Sequence, residues 1–128
     1  MSTSTYPTFS GKVVHGFKIG KSLGFPTANI DAEEKDILPE GVYIVQILFN
    51  FSTHYGIMSI GNRPTFEGDA KTVEVHLLDF SNDLYLKTLT IQPLLLMREN
   101  KKFDSPDLLI QQLEQDKNFA LQYLNNLK

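Results

Sequence analysis

The sequence predicts one mainly β domain, an antiparallel sheet that closes or sandwiches, followed by a single C-terminal helix. Short segments rich in β-branched and aromatic residues recur between turn signals over the first hundred residues. No helical crossover pattern separates them, which favours antiparallel pairing. After residue 105 the apolar period changes from that of a strand to that of a helix. With 128 residues, the chain can bury a core without a metal or a disulfide.

Five segments are predicted as strands, and each has a local reason. The run 42–51 is dense in β-branched and aromatic residues, and the run 72–80 alternates apolar and polar side chains with period two. A turn signal, Gly61-Asn62-Arg63-Pro64, is expected to end the third strand. Pro93 indicates an edge position or a bulge in the fifth. The predicted strands are 12–19, 42–51, 55–60, 72–80 and 84–96.

The C-terminal helix has a clear start signal. Ser105 offers a capping hydroxyl, Pro106 suits the first helical position, and Asp107 places a carboxylate in the first turn. Leucine and alanine side chains then recur at helical spacing, so this stripe is expected to pack on the sheet. Its members are Leu109, Leu113, Ala120, Leu124 and Leu127.

Composition and charge exclude several classes of site. The chain has no cysteine, so it can form no disulfide, thiolate metal site or cysteine nucleophile. The net charge of −3 disfavours a nucleic-acid-binding role, because such domains are usually basic on one face. No apolar run approaches the ~20 residues of a membrane span, and no signal peptide is recognisable. We expect a cytoplasmic monomer that binds neither nucleic acid nor membrane.

A glycine-rich segment, 16–22, reads GFKIGKS and is one residue short of the phosphate-binding pattern G-x-x-x-x-G-K-[ST]. In that motif a helix follows at once, but here Gly24 and Pro26 prevent one. A P-loop is therefore excluded. A simple turn and a loop that turns backbone N–H groups towards phosphate oxygens both remain open. After Pro26, Thr27 and Asn29 would point to the same side of an extended segment, where their oxygens could hold Mg²⁺.

Five motifs in order resemble the riboflavin kinase family over residues 11–124. They are GKVVHGFKIGKSLGFPTANI, LPEGVY, SIGNRPTF, VEVHLLDF and the run MREN-KKFDS. The resemblance is to the kinase domain that usually forms the C-terminal half of a bacterial bifunctional riboflavin kinase/FAD synthetase. It implies a six-stranded antiparallel Greek-key barrel with a C-terminal α-helix. Residues 11–128 would form this domain, after a flexible or lead-in segment at 1–10.

The activity implied by the resemblance is ATP-dependent phosphorylation of the riboflavin 5′-hydroxyl, which gives FMN and ADP. Thr27 and Asn29 would be the ligands of Mg²⁺, with Zn²⁺ or Mn²⁺ as alternatives. Glu74 would be the general base; from the residues alone, a solvent-facing strand glutamate is equally consistent. The implied ATP- and phosphate-binding residues are Gly16, Lys18, Gly20, Lys21, Gly24, Pro26 and Thr27. The implied flavin-binding residues are Arg98 and Asn100, within a flap over residues 98–103, and two aromatic candidates, Phe103 and Tyr85.

Two positions depart from the family pattern. Leu86 stands where the family usually has glycine, and Asn100 stands where a glutamate is expected. Both lie on the flavin side, so a flavin- or nucleotide-binding module without turnover is the alternative to a kinase. A nucleic-acid-binding barrel is disfavoured by the acidic balance. The FAD synthetase half is missing from this sequence, so the chain is expected to be a stand-alone kinase or an excised domain.

Overall fold

Six strands and one helix make up the part of the chain that the computed structural model describes, residues 6–14, 27–32, 38–66, 68–78 and 84–127. All neighbouring strands pair antiparallel in a closed barrel with the order β1-β2-β5-β4-β3-β6. The bounds are β1 Phe9–Val14, β2 Ala28–Asp31, β3 Gly41–Phe49, β4 Ser52–Thr65, β5 Gly68–Leu77, β6 Thr88–Arg98 and α1 Pro106–Asn126.

The topology is a Greek key. Strands β3, β4 and β5 form a meander, and β2 lies beside β5 although β3 follows it in the chain. Strand β6 returns to pair with both β3 and β1, which closes the barrel. The predicted six-stranded antiparallel barrel with a C-terminal helix is confirmed.

One face of every strand fills the barrel interior. Since successive side chains of a strand point to opposite faces, the alternation predicted for 72–80 places Val73, Val75 and Leu77 in the core. Burying each such side chain contributes about 1.5–3 kcal/mol. Tyr43 is fully buried among them and donates its hydroxyl to the Pro39 carbonyl oxygen at 2.6 Å. Burial of the Tyr43 phenol raises its pKa, and the nearby Tyr6 adds to this effect.

Strand β4 is longer than the sequence predicts, and the expected turn at residues 61–64 is wrong. The ladder with β5 continues from Gly61, opposite Thr72, to Thr65, opposite Gly68. Strand β3 begins at Gly41, opposite Ile60, so beyond this point β4 has a neighbour on one side only. A proline is tolerated at such an edge because no second strand needs its missing N–H.

The bounds of the first and last strands, β1 and β6, also differ from the predicted bounds. Strand β1 begins at Phe9, earlier than residue 12, while residues 15–19 of the predicted strand lie outside the described part. Strand β6 begins at Thr88, because Lys87 N–H donates to the Leu84 carbonyl and closes a turn before it. Pro93 lies opposite Val45, next to a shift in the β3–β6 register, which confirms the bulge.

Helix α1 begins as predicted. The Ser105 hydroxyl accepts a hydrogen bond from Leu108 N–H at 3.3 Å, with Pro106 in the first turn. Of the predicted apolar stripe, Ala120 is fully buried, whereas Leu127 is the exposed C-cap residue. The helix packs on the outside of the barrel, against β4. Among the described residues, no helix has the length and apolarity needed to span a bilayer.

Candidate active site

Five residues lie in one row across the outside of the barrel. Asn29 on β2 is opposite Glu74 on β5, which is opposite Ser59 on β4. Ser59 is opposite Val42 on β3, and Val42 is opposite Arg98 on β6. Neighbouring strands are about 4.8 Å apart, so Glu74 and Arg98 are separated by roughly 14 Å along the barrel surface. The pairing thus places residues from distant parts of the sequence on a single surface.

The row faces outwards because its chain neighbours face the core. Ile30, Val73, Val75 and Met58 flank row residues and belong to the buried core cluster. Side chains alternate along each strand, so the row residues between them point to the opposite face. Glu74 is half-buried there. Sequence alternation alone therefore predicts the direction of Glu74, and strand pairing decides which residues it meets.

Glu74 is in an environment that strengthens it as a base. Burial raises the pKa of the Glu74 carboxyl above its ordinary value of 4.5, and a hydrogen bond from Thr27 partly lowers it. The Thr27 hydroxyl donates to Glu74 Oε1 at 3.4 Å. Desolvation disfavours the charged form of a carboxyl, so the ionised form has a greater tendency to accept a proton than a glutamate in water. The carboxylate is suited to remove a proton from a hydroxyl group bound beside it.

Thr27 and Asn29 both lie beside this carboxylate. Thr27 contacts Glu74 through its hydroxyl, and Asn29 faces Glu74 across the β2–β5 pair. A hydroxyl, an amide oxygen and a carboxylate form a set of hard oxygen donors, which fits a magnesium ion that shares its shell with substrate oxygens. The described residues contain no cluster of three histidine or acidic side chains, so any metal here would depend on this oxygen set.

Arg98 is engaged with the helix. Its Nε and Nη2 donate to the two carboxylate oxygens of Asp116 at 2.9 and 2.7 Å, and Nη1 donates to the Glu99 carbonyl at 2.9 Å. The guanidinium lies at the end of the outer row, where the resemblance expects a flavin contact, but its hydrogen bonds in the structure are to the protein itself. Such a bidentate pair fixes the orientation of the arginine.

The remaining flavin-side candidates are divided between two regions. Asn100 Nδ2 donates to the Ile60 carbonyl at 3.0 Å, a bond that the carboxylate of a glutamate could not donate. Phe103 is half-buried and lines a depression of about 280 Å³ between residues 101–104 and the first turns of α1. Tyr85 precedes β6, whereas Arg98 ends it, so about 30 Å of strand separates the two. The structure does not bring Tyr85 together with the others.

Leu86 has a left-handed backbone conformation, with φ of 66°. Its N–H donates to the Val13 carbonyl at 2.9 Å, and Val13 N–H donates to the Lys87 carbonyl at 2.9 Å, so the turn is fastened to β1. The turn therefore keeps a conformation that glycine adopts easily, and in a leucine this conformation is strained by the contact of its Cβ with the backbone. That side chain is 54% exposed.

The predicted phosphate loop lies outside the described residues. This covers Gly16, Lys18, Gly20, Lys21, Gly24 and Pro26. The described part resumes at Thr27, directly before β2.

Sequence reasoning missed three polar residues that the structure places at or near the row. Ser59 sits between Glu74 and Val42, and only strand register could reveal it. Asp116 is the buried partner of Arg98, and Gln112 donates to Asp116 Oδ1 at 2.9 Å. A signal for the last two was present: an acid and an amide four residues apart lie on the same side of a helix.

Comparisons with known proteins identify related chains. The pattern of the flavokinase family, described as riboflavin kinase, matches residues 3–124. A bifunctional riboflavin kinase/FMN adenylyltransferase from Listeria monocytogenes is 43% identical over 114 residues, 87% of this chain and 36% of the relative. A protein from Bacillus subtilis named RNA-binding riboflavin kinase RibR is 41% identical over 84% of this chain and 46% of its own length.

Solved structures give the same fold. A crystal structure described as a macrolide-efflux protein from Streptococcus pneumoniae matches with a TM-score of 0.83 and 34% identity, over 88% of this chain and 38% of that one. Riboflavin kinase from Trypanosoma brucei matches with a TM-score of 0.66 and 25% identity, over 92% of this chain and 79% of that one. The chain spans about two fifths of the bifunctional relatives. The family match covers nearly the whole sequence, and this protein belongs to the flavokinase (riboflavin kinase) family.

Proposed function

We propose that this chain transfers the γ-phosphoryl group of ATP to the 5′-hydroxyl of riboflavin and releases FMN and ADP. The observation that carries the proposal is the position of Glu74: a half-buried carboxylate of raised pKa on the outer wall, beside the oxygen groups of Thr27 and Asn29. Membership of the flavokinase family supports the same reaction.

The base acts on the acceptor alcohol. Glu74 takes the proton of the 5′-hydroxyl as its oxygen forms a bond to the γ-phosphorus, and the bond from that phosphorus to the bridging oxygen of ADP breaks. The burial that raises the Glu74 pKa makes the carboxylate a better proton acceptor. Little other covalent help is needed, because phosphoryl transfer depends mainly on alignment and charge neutralisation.

The phosphate side of the site is assigned to residues 16–29. Thr27 and Asn29 would hold Mg²⁺, with Zn²⁺ or Mn²⁺ as alternatives, and the ion would neutralise charge on the phosphates. Their place next to Glu74 supports this role, since the donor oxygens then lie beside the base. Backbone N–H groups of Gly16, Gly20 and Gly24 and the ammonium groups of Lys18 and Lys21 would bind the phosphate oxygens.

The flavin side is assigned to the segment after β6. Phe103 and the neighbouring depression offer an aromatic wall between this segment and α1. Asn100 is tied to the Ile60 carbonyl, so the residue that replaces the expected glutamate helps to hold the segment against β4. Arg98 acts here by fixing the start of the segment through Asp116.

The alternative is a flavin- or nucleotide-binding module without turnover, and the two departures from the family pattern favour it. The structure tolerates both departures. The turn at Leu86 keeps a left-handed backbone and its hydrogen bonds to β1, and Asn100 donates to the Ile60 carbonyl. The kinase assignment is therefore the better supported of the two.

An FMN-formation assay separates the two functions. Purified protein is incubated with riboflavin, ATP and Mg²⁺, and FMN is quantified chromatographically, with Glu74→Gln as the matched control. The kinase proposal expects FMN from the wild type and far less from the variant. Riboflavin binding without FMN formation would instead identify the binding module.

A further inference from the structure

Four side chains form a continuous hydrogen-bonded chain between α1 and the segment that joins it to β6. Arg98 donates to both oxygens of Asp116, and Gln112 Nε2 donates to Asp116 Oδ1 at 2.9 Å. Gln112 Oε1 accepts from Lys101 Nζ at 3.3 Å. We call Arg98, Lys101, Gln112 and Asp116 the clasp. It holds the connecting segment to the helix at two points.

The centre of the clasp is a buried charge. Asp116 is 3% exposed. Among the residues that the structure describes, it is the one charged residue that is buried. A buried carboxylate is costly unless it is paired and hydrogen-bonded, and here both oxygens are satisfied. Replacing a buried ion pair by apolar residues of similar volume is often neutral or even stabilising, so stability alone does not explain the pair. What the ionic pair adds is geometry, because a bidentate arginine can take one orientation only.

The clasp determines where the segment after β6 begins. Arg98 is the last residue of β6 and also donates to the Glu99 carbonyl. Asn100 is bonded to the Ile60 carbonyl of β4. Hydrogen bonds thus hold the end of β6 and residues 99–101 before the chain reaches Phe103. Residues 101–104 form one wall of the depression, and α1 forms the other.

We propose that Asp116 and Gln112 are positioning residues for riboflavin, acting through Arg98 and Lys101 on the segment 99–104. This inference rests on the proposed function. Asp116 does not touch the reacting atoms; it sets the distance between the two walls of the depression. Its effect is confined to the flavin, because Glu74 and its neighbours lie roughly 14 Å further along the row.

The test compares two substitutions that remove one negative charge from the same helix. Asp116→Asn keeps the side-chain volume but leaves Arg98 without a charged partner. Glu114→Gln removes an exposed carboxylate outside the clasp. We expect Asp116→Asn to raise the KM and the dissociation constant of riboflavin about tenfold or more, with the KM of ATP changed by less than about twofold. Glu114→Gln should change none of these constants.

A second variant covers the case in which Asp116→Asn does not fold. Gln112→Met keeps the ion pair and the length of the side chain but breaks the link to Lys101. It should raise the riboflavin constants in the same direction by a smaller factor, while thermal unfolding shows a folded protein. Riboflavin constants equal to those of Glu114→Gln in the folded variants, or equal losses for riboflavin and ATP, would overturn the inference.

Failure of the clasp and failure of the proposed function give different results. Riboflavin binding is followed by quenching of flavin fluorescence without ATP, so it needs no turnover. A wild type that binds riboflavin but forms no FMN would refute the kinase, and the binding constants of the variants would still decide the role of Asp116. A wild type that forms FMN, with unchanged binding in the folded clasp variants, would refute the clasp alone.

Discussion

Asn29 and Glu74 lie directly opposite each other on the paired strands β2 and β5, although these strands are far apart in the chain. Thr27, two residues before Asn29, donates its hydroxyl to the same carboxylate. This relationship places the metal-binding candidates directly beside the candidate base, and the predictions below for Glu74, Thr27 and Asn29 depend on it.

Replacing the carboxylate of Glu74 should remove most of the rate. Glu74→Gln keeps the shape and the capacity to accept a hydrogen bond from Thr27 but cannot accept the substrate proton, so kcat should fall by about 10²-fold or more. ATP affinity should be retained, because the nucleotide contacts are assigned to other residues. Steady-state kinetics and nucleotide titration check both parts; an unchanged kcat would remove Glu74 from the mechanism.

The same substitution should stabilise the fold at neutral pH. Burial raises the folded-state pKa of Glu74, so the folded protein binds this proton more tightly than the unfolded chain. Stability therefore falls as the pH rises from the ordinary value of 4.5 through the folded-state pKa, and the loss is complete above it. Since the amide that replaces the carboxyl does not titrate, Glu74→Gln should unfold at a higher temperature than the wild type at neutral pH.

This difference in unfolding temperature should shrink as the pH is lowered below the ordinary glutamate value. The other titratable groups on the outer face near Glu74 within the described ranges, among them His76 and Asp31, are common to both proteins. Thermal melts of the two proteins over a pH series give the measurement. A wild type more stable than the variant at neutral pH would contradict the raised pKa.

The hydroxyl of Thr27 should control the acid limb of the pH–rate profile. Its hydrogen bond lowers the Glu74 pKa, so Thr27→Val should move the acid limb of kcat/KM to higher pH. Thr27→Ser retains the hydroxyl and is the matched control, with its limb expected near that of the wild type. Identical limbs in all three proteins would show that this bond does not act on the base.

Asn29 should set the metal requirement. Asn29→Ala removes a candidate oxygen ligand, so the Mg²⁺ concentration that gives half-maximal rate should rise about tenfold or more. The measurement is a Mg²⁺ titration at saturating riboflavin, repeated with Mn²⁺ and Zn²⁺ to compare the metals. A requirement equal to that of the wild type would remove Asn29 from the ligand set.

At position 86 a glycine variant should be more stable than an alanine variant, the reverse of the usual order. At φ of 66° a side chain is strained, so Leu86→Gly should be more stable than Leu86→Ala by about 1 kcal/mol. At the neighbouring Lys87, whose φ is not positive, the ordinary order should hold, with alanine the more stable of the two. Urea unfolding of the four variants gives the comparison, and an alanine variant more stable than its glycine counterpart at position 86 would refute the strain.

Much of the fold followed from local patterns. The period-two alternation around Glu74 predicted the core side of β5, and Ser105-Pro106 predicted the helix start. The turn expected at 61–64 was wrong because its residues continue the β4–β5 ladder past the point where β3 begins. Whether a proline-containing segment is a turn or an edge strand depends on which neighbours are present, and local sequence does not contain that information.

The sequence by itself determined the family, the antiparallel β class, the C-terminal helix and the outward direction of Glu74, because these depend on motifs and on short-range periodicity. Only the tertiary structure decided that Asn29, Glu74, Ser59, Val42 and Arg98 form one row, and that Asp116 is the partner of Arg98. Register between strands and packing of a helix on a barrel arise from contacts between residues far apart in the chain. The long-range pairing therefore placed Glu74 beside Thr27 and Asn29, and the packing of the helix paired Arg98 with Asp116.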